Sequence, residues 1–249
     1  SQRDKDQEHI NQVLEENHNY LADNLQKELT KVLNFSKRDL SPGLQASNIG
    51  CRIGMDLSLF SFVFIGDTHG FLNDFAKQKE VIESVNPDFV LAEQLQDKIL
   101  DSSESVQNIL NKKHISDLVD FKKVEGLIRL CAENKIKLIG LDLKDFGFNE
   151  KLKEIILGRK KPSDTEKRSI DKIVQKREKK HLSVIRKYAK ISKKPLIIIL
   201  GTWHLQENST LLKALDNYVV IYPSDNKGNI VLEPPKKEMK ITYKQKTKQ

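Results

Sequence analysis

Apolar positions along this chain recur with different spacings, and the changes from one spacing to the next outline its elements. Ile10, Leu14, Leu21, Leu25 and Leu29 fall 4, 7, 4 and 4 residues apart, which predicts an amphipathic helix over 8–33 laying one stripe on another surface. Ser41-Pro42-Gly43 breaks that pattern. The segment 59–65 (LFSFVFI) is rich in aromatic and branched residues without alternation, as expected of a strand covered on both faces. A helix over 74–85 with Asn73 as N-cap follows, then Asn86-Pro87 and a second apolar strand over 89–92.

The unit then repeats. Ile115, Leu118, Val119, Leu127, Ile128 and Cys131 outline a helix ending near Glu133-Asn134, ahead of a third strand over 136–141. Ser163 and Glu166 have the spacing of a capping box, which opens a long helix reaching about Lys190. Residues 195–200 form a fourth strand, 211–215 a helix and 218–222 a last strand. Such β-α-β repetition with short loops predicts an α/β domain over 59–235: a mostly parallel central sheet with helices on both faces, three layers in all. A helical arm and linker over 1–58 precede it, and a basic flexible tail over 236–249 follows.

A length of 249 residues suffices for one large α/β domain. The longest apolar run, 195–200, has six residues, far short of the roughly 20 a membrane helix needs, and nothing reads as a signal peptide. The two cysteines, Cys51 and Cys131, fit neither a redox pair nor a zinc knuckle, so a reduced, cytoplasmic setting is expected. The net charge of +8 is unevenly distributed: 1–150 carry 18 basic and 25 acidic residues, whereas 151–194 carry 17 and 5. No aromatic residues interleave with the lysines of the long helix, so no specific nucleic acid is expected. The basic tail is available to an anionic surface, and the N-terminal helix to a homodimer contact.

Gly66-Asp67-Thr68-His69 and Gly201-Thr202-Trp203-His204 each follow a buried strand directly. In a parallel sheet, loops at the carboxyl ends of strands form the binding rim, so the two tetrads would deliver two imidazoles to one edge. Glu93 and Asp142 close the second and third strands at that same edge, as metal ligands or as partners that orient an imidazole. On the long helix Arg177 lies within the apolar stripe and needs a carboxylate, for which Glu93 or Asp142 is suited, and His181 shares that face.

Taken in order, these motifs resemble the TraB/Tiki superfamily, with its TraB-like, erythromycin-esterase-like and ChaN-like members. The matching positions are Gly66 with His69, Glu93 after Pro87-Asp88, Asp142, Arg177 with Glu178, and Gly201 with His204, spread over 61–222. The resemblance implies a hydrolase-like site acting on a peptide or small-molecule amide or ester. In one form His69, Glu93 and His204 bind a divalent Mn, Co or Zn ion with Arg177 steadying the oxyanion; in another a histidine acts as general base without metal. Asp67 inside the first tetrad and His181 after the arginine depart from the family's usual residues. Phe64-Ile65-Gly66-Asp67-Thr68-His69-Gly70 also permits a calcineurin-like phosphoesterase reading, with Asp67 and His69 as metal ligands. A third reading is a non-catalytic module using the rim for haem, metal or a small ligand.

Overall fold

The computed structural model describes residues 47–48, 57–67, 74–205, 209–224 and 240–246. The expected helix over 8–33, the Asn73 cap and His69 lie outside the described residues. The strands are β1 (Ser47–Asn48), β2 (Phe62–Asp67), β3 (Phe89–Ala92), β4 (Ile99–Leu100), β5 (Lys137–Gly140), β6 (Leu196–Gly201), β7 (Tyr218–Ser224) and β8 (Lys240–Lys246). They form one mixed sheet in the order β1-β8-β7-β2-β6-β3-β5-β4. Its centre, β7-β2-β6-β3-β5, is parallel throughout. The pairings of β1 with β8, β8 with β7 and β4 with β5 are antiparallel.

The helices are α1 (Asp74–Val85), α2 (Ser103–Lys112), α3 (Phe121–Glu133), α4 (Glu150–Ile156), α5 (Asp164–Ala189) and α6 (Thr210–Lys213). Because successive strand residues point to opposite faces, the continuous apolar strands feed two cores. Val63, Ile65, Val90, Ile197 and Val219 cluster with Val81, Ile109 and Leu127 of α1, α2 and α3. Phe64, Leu91, Ile198 and Val220 cluster with Ile185 and Tyr188 of α5 and Leu212 of α6.

This winding locates the binding rim. From β2 the chain moves outward to β3 and β5, then returns to insert β6 between β2 and β3. The connections following β3 and β6 therefore run in opposite directions along the sheet, and it is beyond the carboxyl ends of the strands at such a switch point that wound α/β sheets bind ligands.

Several expectations shift. The helix expected from Ile115 begins at Phe121, where the Asp120 side chain accepts from the Lys122 N–H, so 115–119 belong to the turn before it. Neither α2 nor α4 is among the expected helices, although Val106, Ile109 and Leu110 in the first and Leu152, Ile155 and Ile156 in the second stand at i, i+3 and i+4; each set is a single short stripe among polar residues. Residues 240–246, expected within a flexible tail, form β8 and pair with β7 along its whole length. Ile241 and Tyr243 alternate there with Lys240, Thr242 and Lys244, a period of two that the lysines disguise. The 1–58 arm likewise contributes Ser47–Asn48 to the sheet as β1. Among the described residues no helix is long and apolar enough to cross a membrane.

Candidate functional site

The functional side chains come from the carboxyl ends of buried strands and from the middle of α5. After β3 the chain tightens into a short turn, Glu93–Leu95, and Glu93 is buried at its start. Asp142 follows β5 with no exposed surface, and its Oδ1 accepts from the Leu143 N–H at 2.7 Å. On α5, Arg177 reaches both acids and His181, one helical turn on, reaches Asp142. The Arg177 guanidinium bonds Glu93 Oε1 at 2.5 Å and Asp142 Oδ2 at 2.8 Å through Nη2, and contacts Asp142 again through Nε at 3.1 and 3.2 Å. Its Cζ lies over the Phe146 ring, 4.8 Å from the centroid, a cation–π contact. His181 Nε2 donates to Asp142 Oδ2 at 2.8 Å.

From β6 come Gly201 and His204. The Gly201 N–H donates to Glu93 Oε2 at 2.7 Å, and a Cβ at position 201 would stand 3.3 Å from that oxygen. Glycine is what lets the β6 backbone approach the carboxylate so closely. His204 lies between two acids, with Nε2 3.4 Å from Glu93 Oε1 and Nδ1 3.5 Å from Glu178 Oε1. Thr210, at the start of α6, donates to the other Glu178 oxygen at 3.0 Å. The His181 and His204 rings meet edge to face with centroids 5.0 Å apart. Trp203, 39% exposed, stands perpendicular to His204 at 5.5 Å and marks the side on which the cluster meets solvent.

The electrostatics follow from this packing. Burial disfavours the charged form of Glu93, yet the hydrogen bond to His204 and the charges of His204, Arg177 and His181 outweigh it and hold the carboxyl well below its ordinary range. Asp142 shifts down in the same way: burial opposes, while hydrogen bonds from His181 and Arg177 prevail. Burial would push His204 down, but the Glu178 and Glu93 carboxylates raise it to about 9. At neutral pH His204 is an imidazolium. Elsewhere burial pushes the Cys131 thiol up to about 12, which leaves it protonated and unsuited to act as a nucleophile.

The sequence-expected residues Glu93, Asp142, Arg177, Glu178, His181 and His204 thus form one cluster. Asp67 ends β2 with Gly201 as its register partner and makes none of the cluster's hydrogen bonds among the described residues. Sequence reasoning missed Gln96. Its side chain accepts from the Asp145 N–H and donates to Ser116, and its backbone carbonyl accepts from the Asp142 N–H. Held at φ 52°, ψ −116°, it ties the Glu93 turn to the Asp142 loop. A glutamine bears no sequence mark of such a conformation; the nearest signal is Gly140, where a Cβ would fall 2.2 Å from the Gln96 carbonyl oxygen.

Glu93, Asp142 and His181 meet the spacing of a cation site, one ligand atom of each lying within 4.8 Å of the others. The guanidinium of Arg177 stands there, bonded to both carboxylates. In this arrangement the two carboxylates are clamped by arginine; of the expected metal ligands His69, Glu93 and His204, the first lies outside the described residues. Comparison of the chain with protein-family models, with curated proteins and with solved structures found no match.

Proposed function

We propose that this protein is a TraB/Tiki-like hydrolase with a three-layer fold, cleaving an amide or ester bond with a water activated at the carboxyl rim of the sheet, in the histidine-based form of that chemistry. One observation carries the reading: His204 is buried between Glu93 and Glu178 at the carboxyl ends of the strands, with Arg177 bound to the same Glu93. Carboxylates on both sides favour the charged ring, which suits it to give up a proton.

In this mechanism His69 is the general base and His204 the general acid. Asp67 and Gly201 are register partners, so the two Gly-x-x-His segments leave neighbouring strands at one level. The water oxygen bonds to the substrate carbonyl carbon as His69 takes its proton. Arg177 and His204 offset the negative charge that gathers on the carbonyl oxygen. The C–N or C–O bond then breaks as His204 passes its proton to the leaving atom. Return of the proton from His69 to His204 through solvent restores the starting state. Trp203 offers the substrate an apolar surface at the entrance.

The test is turnover of ester and peptide panels by the purified chain with and without chelator. His204→Ala, Glu93→Ala and Arg177→Ala should each lower kcat/KM by about a hundredfold or more while the far-UV circular dichroism is kept. Full activity in the His204 variant would remove that residue from the mechanism. Activity lost to chelator, with metal found in the purified protein, would replace this form with the metal-dependent one. Phosphate-ester turnover abolished by Asp67→Asn would replace it with a phosphoesterase.

A further inference from the structure

The long helix α5 separates its charges. At about 100° per residue, Arg177, His181, Val184 and Tyr188 define the face turned to the sheet. Asp164, Asp171 and Glu178 lie to one side of it, while Glu166, in the first turn, stands on the other flank near the sheet-facing side. On the other side, within a sector about 120° wide, stand Lys172, Lys176, Lys179, Lys180, Arg186 and Lys187, all exposed, with no acid among them. The row from Lys172 to Lys187 is about 22 Å long at 1.5 Å per residue.

An ordinary solvated helix face in this protein looks different. On α1 Lys79 sits one turn from Glu83, and on α3 Arg129 from Glu125, each an i,i+4 ion pair. On α5 the i,i+4 neighbours Lys172, Lys176 and Lys180 are all positive, a pattern that weakens a helix through repulsion. Among the described residues none of the six basic side chains forms an ion pair with a carboxylate.

We infer that this face of α5 docks the protein on an anionic lipid bilayer. A straight, one-signed row suits an extended charged plane, and each lysine near such a surface adds to the attraction. The row is lysine-rich, giving point charges rather than the forked arginine contacts favoured for nucleic-acid phosphates, and it has no aromatic ring on which bases would stack. At its carboxyl end Ile191, 58% exposed beside Lys187 and Lys190, supplies an apolar side chain to enter the headgroup layer. The inference is independent of the hydrolase reading: docking stands or falls whether or not a bond is cleaved.

The experiment is co-sedimentation of the full chain with phosphatidylcholine vesicles, with and without phosphatidylserine, beside a duplex DNA binding assay. Binding is expected only with phosphatidylserine, weakening as salt is added. The exposed triple variant Lys172→Glu, Lys176→Glu, Lys180→Glu should partition roughly a hundredfold less, about fivefold or more per lysine. The control Lys112→Glu, Lys113→Glu, Lys123→Glu, at the end of α2, just after it and on α3, should lose far less. A triple Gln variant, which adds no negative charge, should weaken binding in the same direction. Equal binding to pure phosphatidylcholine, equal losses in control and test variants, tighter binding to DNA than to the vesicles, or no vesicle binding would each overturn the inference.

Discussion

Asp142 is the residue on which the buried charges depend. It accepts from Arg177 through both oxygens, from His181 and from its neighbour's backbone, with no surface of its own exposed. Removing it leaves a guanidinium with one carboxylate instead of two and an imidazole nitrogen without its acceptor. Breaking a buried pair from one side costs about 3–5 kcal/mol, so Asp142→Ala should lose that much in urea denaturation. Adding Arg177→Ala to it should cost less than the two losses summed, because the second change removes the charge the first had stranded. The residue types and their order were legible in the sequence: an Arg within an apolar helical stripe demands a carboxylate, and two acids ended neighbouring strands. The partners within the cluster were not legible. Arg177 bridges Glu93 and Asp142 together, and His181 serves Asp142 directly, because side-chain reach depends on how far α5 crosses the rim, which spacing along a chain does not encode.

At the scale of elements, α5 is held in two different ways along its length. Its carboxyl half is anchored by Val184, Ile185 and Tyr188 in the core, whereas 164–176 has no buried residue and is started by the reciprocal Ser163–Glu166 capping box. Ile185→Ala, at a site with no exposure, should therefore cost about 2–5 kcal/mol, and Ser163→Ala only about 1 kcal/mol, both read from urea midpoints. Equal losses would contradict this division. Strands covered on both faces, such as β3 and β6, and helices with strong caps could be read from pattern alone. The edge strand β8 could not, since its pairing depends on β7 and its lysines imitate a tail; nor could α4, whose seven residues span less than two turns of any period.

For the whole molecule, the site makes stability depend on pH in a direction that can be worked out. His204 is raised from 6.5 to about 9, so its contribution is complete below about pH 6.5 and is lost as pH rises through about 9. The shift corresponds to roughly 3 kcal/mol. Glu93 and Asp142 are held low, so their contribution is present above the ordinary carboxylate range and is lost as pH falls through their lowered values. Stability should be greatest between these limits. The central claim, a buried imidazolium pinned between two acids, can be read directly because Trp203 is the chain's one tryptophan and its ring touches His204. An imidazolium quenches an adjacent indole more strongly than neutral imidazole does. Tryptophan emission followed against pH should therefore rise with a midpoint near 9, and the step should vanish in His204→Gln. A midpoint near 6.5, or the same curve in the variant, would contradict the account.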